Sequence, residues 1–392
     1  MNNEQVGRRK FIQTMAASVG VMSALPLEAA SFSGDGRIQY VTSPQSGGYA
    51  PTSTAQRIKF AVIGINHYHI YSMVGATLRG GGELVWLYAK EPDLAAEFVK
   101  KFPQAKVARN EDEILNDNSI QLVLSSIIPE ERAPLGIRVM QHGKDYMADK
   151  PGITTLEQLA DARRVQAQTK RIYSIMYSER FENRATVHAG ELIQAGAIGH
   201  VVQTIGLGPH RMSVKTRAPW FFDKQKYGGV LCDLASHQAD QFLYFTNSTK
   251  AEVVASQVGN TYHSQYPNFE DFGDMMIRGN GGSGYIRVDW FTPDGLSTWG
   301  DGRLTILGTD GFIEVRKNVD IAGRPGGSHL FLVDQKSTQY IDTTNQSLPY
   351  GPRIVDDVLN RTETAMPQEH CFLAMELVLK AQKNAQRLET RG

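Results

Sequence analysis

Cysteine is nearly absent from this sequence. Only Cys232 and Cys371 occur in 392 residues, and neither sits in a CxxC or Cys/His spacing. That excludes a disulfide framework and a cysteine-ligated zinc or redox centre. An excess of either charge is missing as well: 41 Lys+Arg against 41 Asp+Glu gives a formal net charge of +0. Without a basic field there is no footprint for a nucleic-acid partner. Long apolar runs are also lacking, since the longest weakly apolar stretch, Thr14 to Leu25, is rich in Ala, Ser and Gly. It is too short for the ~30 Å of a bilayer core, which excludes a membrane span. What remains is ordinary for a globular α/β protein, with 41% hydrophobic and 21% charged residues, 37 glycines and 16 prolines.

At this length one hydrophobic core does not suffice, so two domains plus a processed or linking segment are expected. Gly7-Arg8-Arg9-Lys10-Phe11 followed by that weak apolar run and Pro26-Leu27-Glu28-Ala29-Ala30 reads as a twin-arginine (Tat) export signal. The expected segments are residues 1–30 as the signal, 31–56 as a Ser/Gly/Pro/Thr-rich linker or arm, 57–175 as a nucleotide-binding domain and 176–392 as an α+β domain. Export to the periplasm has a chemical consequence. That compartment supplies no nicotinamide pool, so a redox enzyme sent there carries its dinucleotide tightly bound.

Ile58 to Gly64 is a β-rich run ending in glycine, and His69 to Leu78 continues as a helix, which opens a Rossmann-type βα unit. Where G-x-G-x-x-G is expected, the chain has Gly64-Ile65-Asn66-His67-Tyr68-His69, with only the first glycine kept. Asn66 can cap the helix. His67 and His69 are read as lining the helix N-terminus beside a pyrophosphate; no metal is expected, because no carboxylate or cysteine stands at a spacing that completes a ligand set. The second strand, from Glu83, ends in Ala89-Lys90 in place of an acidic residue, so a 2′-phosphate has room and NADP is slightly favoured over NAD. Apolar strands at 120–127 and 145–148 then alternate with helices, which means a parallel sheet covered on both faces, with ligands at the carboxyl ends of its strands. Gly64, Asn66, His67, Lys90, Ser126 and Lys150 are the candidate cofactor-binding residues.

Three ordered segments go further. Gly143 to Pro151, ending Asp149-Lys150-Pro151, resembles the Glu-Lys-Pro signature of the Gfo/Idh/MocA oxidoreductases with Asp for Glu. Tyr177 to Asn183 with Ile193 to Gly199 resembles that family's entry into its second domain, and Gly228-Gly229 to Asp240 resembles its G-G-x-x-x-D-x-x-x-H-x-x-D helix. The resemblance implies an N-terminal Rossmann dinucleotide-binding domain and a C-terminal α+β domain with a large, mostly antiparallel open sheet. It also implies a homodimer or homotetramer. Independently, Asp233 and His237 are four apart, so one helix face can present a carboxylate and an imidazole to one ligand. An alcohol oxidation needs a base for the hydroxyl proton, a role for His237; Lys150 can hold the reacting oxygen, and Asp233 can orient His237 or the substrate. These three are the candidate catalytic residues. Tyr177, Arg180 and His210 join Lys150, Asp233 and His237 as candidates for substrate contact.

The leading expectation is an NAD(P)-dependent oxidoreductase acting on a hydroxyl or keto group of a sugar, glycoside or cyclitol. Two alternatives stay open: a redox-assisted glycosidase or lyase with no net NAD(P)H, and a carbohydrate-binding protein that has lost its cofactor.

Overall fold

The computed structural model describes residues 38–42 and 57–388. The export-signal reading of residues 1–30 lies outside them. Of the segment read as linker or arm, Gln39–Thr42 is described, and it forms a strand, β1.

The first layer is a six-stranded parallel sheet built from β2 (Ile58–Ile63), β3 (Gly82–Tyr88), β4 (Lys106–Val107), β5 (Leu122–Ser125), β6 (Asp145–Asp149) and β7 (Tyr173–Met176). Its order is β4-β3-β2-β5-β6-β7. The three strands β5, β6 and β7 are buried at every position, as expected of parallel strands with helices on both faces. Pro129 starts the helix Pro129–Gln141 and Thr155 caps Leu156–Thr169 by accepting from the Gln158 amide. The chain reverses between β3-β4 on one side of β2 and β5-β6 on the other, so the crevice for a ligand opens beyond the carboxyl ends of β2 and β5.

The second layer is a ten-stranded sheet. It contains β8 (Val201–Pro209), β9 (Ala251–Gly259), β10 (Phe272–Gly279), β11 (Gly282–Asp289), β12 (Arg303–Gly308), β13 (Phe312–Arg316), β14 (His329–Val333), β15 (Thr338–Asp342) and β16 (Gln386–Arg387). With β1 the order is β1-β15-β14-β13-β12-β8-β11-β10-β9-β16, and the pairings are antiparallel except β1 with β15, β8 with β11 and β9 with β16. One face is covered by the helix Ser236–Thr246. It lies close because β8 is glycine where they cross: a Cβ on Gly206 would come within 2.7 Å of Gln238 Cγ. On the other face Ile205, Met276, Leu307 and Phe312 stay exposed.

Two differences from the sequence reading concern the helices. The segment expected as one helix carrying Asp233 and His237 is two, Val230–Asp233 and Ser236–Thr246, with Leu234 and Ala235 between them. The chain after β15 contains an unexpected amphipathic helix, Tyr350–Asn360, which packs against the helix Ile70–Arg79 of the first layer. The last helix, Gln368–Asn384, likewise packs on β7 and on Leu156–Thr169, so the C-terminal segment completes the core of the parallel sheet.

Candidate active site

A cleft at the carboxyl ends of the parallel strands is lined by His67, His69, Lys150, His210, Asp233 and His237 together with Arg217, Trp290 and Trp299. Lys150 follows the last residue of β6. Arg132, fully buried in the helix Pro129–Gln141, donates to the Ile127, Lys150 and Pro151 carbonyls and to Asp149 Oδ2, fixing the Asp149-Lys150-Pro151 turn. The Lys150 ammonium donates to Asp233 Oδ1 at 2.9 Å, with both side chains almost out of solvent at 5% and 8% exposure. Burial opposes ionisation of Asp233, but the charge and hydrogen bond of Lys150 prevail and hold its carboxyl below the usual range.

His237 stands at the start of the helix Ser236–Thr246. Burial above all pushes its imidazole down to about 3; the Glu179 carboxylate works against this and Lys150 with it. The ring is therefore neutral at physiological pH. Its Nδ1 is buried with no partner among the described residues. Burial, then Lys150, brings His210 down to about 4. The His210 Nδ1 lies 3.0 Å from the Gly208 carbonyl, and its ring packs against Trp290 and Trp299 with centroids 5.3 and 4.5 Å away. These indoles, with Trp220 and Phe221, give the cleft an aromatic wall. Arg217 lies over the Phe221 and Trp290 rings.

Several expectations need correction. Asp233, expected to orient His237 or the substrate, accepts from Lys150 through Oδ1. Arg180 does not face the cleft: its guanidinium forms a bidentate pair with buried Asp240 at 2.7 and 2.6 Å and stacks on Phe181 and Tyr244. Tyr177 is fully buried, and its ring stands behind His237 at 6.3 Å. Asn66 caps no helix; it donates to Glu91 Oε1 at 2.8 Å, and His69 occupies the cap position of Ile70–Arg79. Lys90 is half exposed and paired with Glu131, while Glu91 beside it is the acidic residue that the reading of Ala89-Lys90 passed over. Ser126 braces the glycine loop by donating to the His67 carbonyl at 2.8 Å. The missing third donor beside His67 and His69 is Asp149, whose two oxygens lie 2.9 Å from His69 Nδ1 and 2.8 Å from His67 Nδ1. Glu179 is buried and accepts from Lys317 and Gln238, while its neighbour Arg180 pairs with Asp240.

Two features bear on a dinucleotide, the tight glycine turn after β2 and an acidic residue after β3. Gly64 has φ +77°, and a Cβ there would lie 2.5 Å from Ile127 Cβ, so the first glycine of the turn is required. Glu91 Oε2 is buried without a partner among the described residues; Glu91 occupies the cap position of the helix Pro92–Lys101, three residues beyond β3, close to where an acidic residue holds a ribose hydroxyl in such folds.

Family models agree with this architecture. An oxidoreductase-family, NAD-binding Rossmann-fold model matches residues 58–177, and a GFO/IDH/MocA C-terminal-domain model matches residues 186–314. The crystal structure of an oxidoreductase from Erwinia carotovora atroseptica is 45% identical, covers 85% of this chain and 100% of its own, and superposes with a TM-score of 0.82. The chain belongs to the GFO/IDH/MocA oxidoreductase family. Among curated relatives, 1,5-anhydro-D-fructose reductase of Ensifer adhaerens is 24% identical over 190 residues, 47% of this chain and 55% of that protein. The scyllo-inositol 2-dehydrogenase (NADP(+)) IolW of Bacillus subtilis is 26% identical over 48% of this chain and 52% of its own. The match thus spans about half the length of these two relatives.

Proposed function

We propose that this GFO/IDH/MocA protein oxidises or reduces a ring hydroxyl or keto group of a sugar, glycoside or cyclitol, using a tightly bound nicotinamide dinucleotide. The observation that carries the reading is the buried Lys150–Asp233 pair facing the same cleft as the neutral His237. Such a pair has no packing advantage over apolar side chains, whereas an ammonium held in a water-poor cleft stabilises charge developing on a substrate oxygen. Lys150 holds the reacting oxygen, and the neutral His237 imidazole accepts the hydroxyl proton. Asp233 orients Lys150 by accepting from its ammonium. The Trp290 and Trp299 faces suit the apolar face of a pyranose or cyclitol ring. The bound nicotinamide supplies the hydride acceptor or donor.

The same residues favour NAD over the NADP suggested by Lys90. The Lys90 ammonium is already neutralised by Glu131, while the unpartnered Glu91 oxygen accepts from a ribose hydroxyl and repels a 2′-phosphate. The names of curated relatives, an anhydrofructose reductase and an inositol dehydrogenase, support polyhydroxylated rings as the substrate class. Two further parts of the proposal have their own supports: Tat export to the periplasm has the Arg8-Arg9 segment, and a homodimer or homotetramer has the exposed apolar row of Ile205, Met276, Leu307 and Phe312.

The test is nicotinamide absorbance during incubation with a panel of hexoses, glycosides and inositols, with purified protein and added NAD+. Substrate-dependent appearance of reduced nicotinamide that His237→Ala abolishes supports a dehydrogenase. Release of an aglycone with no net reduced nicotinamide would instead establish the redox-assisted lyase.

A further inference from the structure

From the geometry of His67, His69 and Asp149 we infer a binding site for a divalent first-row transition ion, of which Zn2+ is the representative, on the cleft wall beside Lys150. The residues come from two strand ends. His67 and His69 sit on the turn after β2, Asp149 ends β6, and β5 lies between them in the sheet. One potential donor atom from each of the three lies within 4.8 Å of the others. The approach is convergent: both histidines turn the same ring nitrogen, Nδ1, on one carboxylate, His67 to Oδ2 at 2.8 Å and His69 to Oδ1 at 2.9 Å. Their rings meet edge to face at 83° with centroids 4.1 Å apart.

Those separations nearly match an ion's requirements. Tetrahedral ligands at 2.0–2.1 Å from zinc stand ~3.3 Å from one another, so each imidazole–carboxylate pair would open by only about half an ångström to admit it, with the whole donor set already within 4.8 Å. Two imidazoles and one carboxylate are the donor set of open three-ligand sites for zinc and iron. The carboxylate is immobilised, as a ligand should be, by Arg132 on Oδ2 and by the Lys150 amide on Oδ1. Both imidazoles remain partly open to the cleft, at 16% and 21% side-chain exposure against 1% for Asp149. A fourth position is therefore free for water or a substrate oxygen. An imidazole that ligates through Nδ1 carries its hydrogen on Nε2, so both rings can present a lone pair to the ion. Arg132 and Lys150 bring positive charge nearby, so affinity has to come from direct ligation and not from the field of the cleft. That selects an ion that bonds well to imidazole and disfavours Mg2+ or Ca2+.

The full-length protein without an affinity tag, stripped with a chelator, is titrated with Zn2+ against a chromophoric competitor and with Co2+ by visible absorption. One equivalent of Zn2+ is expected, with the d–d bands of four-coordinate Co2+. His67→Ala and His69→Ala should each weaken Zn2+ binding by at least ~100-fold, the upper end of what loss of a mere outer-shell partner costs, and His200→Ala, an exposed histidine elsewhere, should leave it unchanged. Because Asp149 is buried, Asp149→Asn can misfold; the two histidine variants, checked by circular dichroism, carry the decision. Binding of less than half an equivalent, or equal affinity in a folded His67→Ala/His69→Ala double variant, overturns the site. The titration contains neither sugar nor dinucleotide, so its failure leaves the dehydrogenase reading untouched.

Discussion

Replacing Lys150 by methionine separates what the ammonium does for the fold from what it does for catalysis. Lys150→Met keeps most of the side-chain volume but strands the Asp233 carboxylate, which is 8% exposed and has Lys150 as its cation at 2.9 Å. Breaking a buried pair from one side costs about 3–5 kcal/mol, because the surviving charge is left without its partner. Removing both charges with Lys150→Met/Asp233→Leu removes that penalty, and stability should return to within ~1 kcal/mol of the parent, since apolar replacements of buried pairs are often neutral. Activity should not return. Loss of one group that stabilises charge on the reacting oxygen costs ~10²–10³ in kcat, and the double variant lacks it as surely as the single. Urea unfolding followed by fluorescence gives the first quantity, and steady-state turnover of any accepted polyol gives the second. A double variant that regains both stability and turnover would refute the reasoning, because Lys150 would then be structural only. A single variant that loses less than ~1 kcal/mol would show that the pair is not desolvated in solution.

Other outcomes follow from particular atoms. Gly64→Ala puts a Cβ 2.5 Å from Ile127 Cβ at a backbone φ of +77°, and should cost ~1–3 kcal/mol in stability, with weakened dinucleotide binding by fluorescence titration. Glu91→Ala should reduce NAD+ affinity by at least ~10-fold, the worth of one hydrogen bond to a charged group, whereas Lys90→Ala should change it little; the reverse pattern would restore the NADP reading. Burial holds His67, His210 and His237 at about 3, 4 and 3 against an ordinary 6.5. The unfolded chain therefore takes up protons first as pH falls, so this stability is complete above the ordinary value and is lost below it, by about 2 kcal/mol per histidine near pH 5. Urea midpoints equal at neutral and mildly acidic pH would contradict it. Met276→Glu on the open sheet face should shift a dimer or tetramer to monomer in light scattering, with turnover per chain retained if the cleft is complete in one subunit.

How much of this was readable beforehand depends on the range of each interaction. Strand and helix placement in the parallel layer came from local apolar periodicity: β2, β3, β5 and β6 lie within a few residues of where alternation put them. The motif around Asp233 and His237 was equally local, although Leu234 and Ala235 interrupt the expected single helix. Partners were not readable. Asp233 meets Lys150 across 83 residues, and His67 meets Asp149 across 82; the second pairing exists because the sheet order brings two strand ends to one cleft, and the first because the helix Val230–Asp233 ends against the turn after β6. Arg180 was misassigned for the same reason, since its true partner Asp240 lies 60 residues on. The helix Tyr350–Asn360 has a pronounced apolar face that periodicity could have found. Glu91 lies one residue beyond the Ala89-Lys90 pair where the fingerprint expects an acid.

The most direct test of the central claim is to denature protein purified from its native compartment and to analyse the supernatant for dinucleotide by absorbance and mass, followed by titration of refolded or unloaded protein with NAD+ and NADP+. One dinucleotide per chain, released on denaturation or taken up on titration, with NAD+ preferred, is the predicted result. Neither release nor binding of either dinucleotide would contradict it, and the cleft around Lys150 and His237 would then belong to a protein that binds its carbohydrate without redox chemistry.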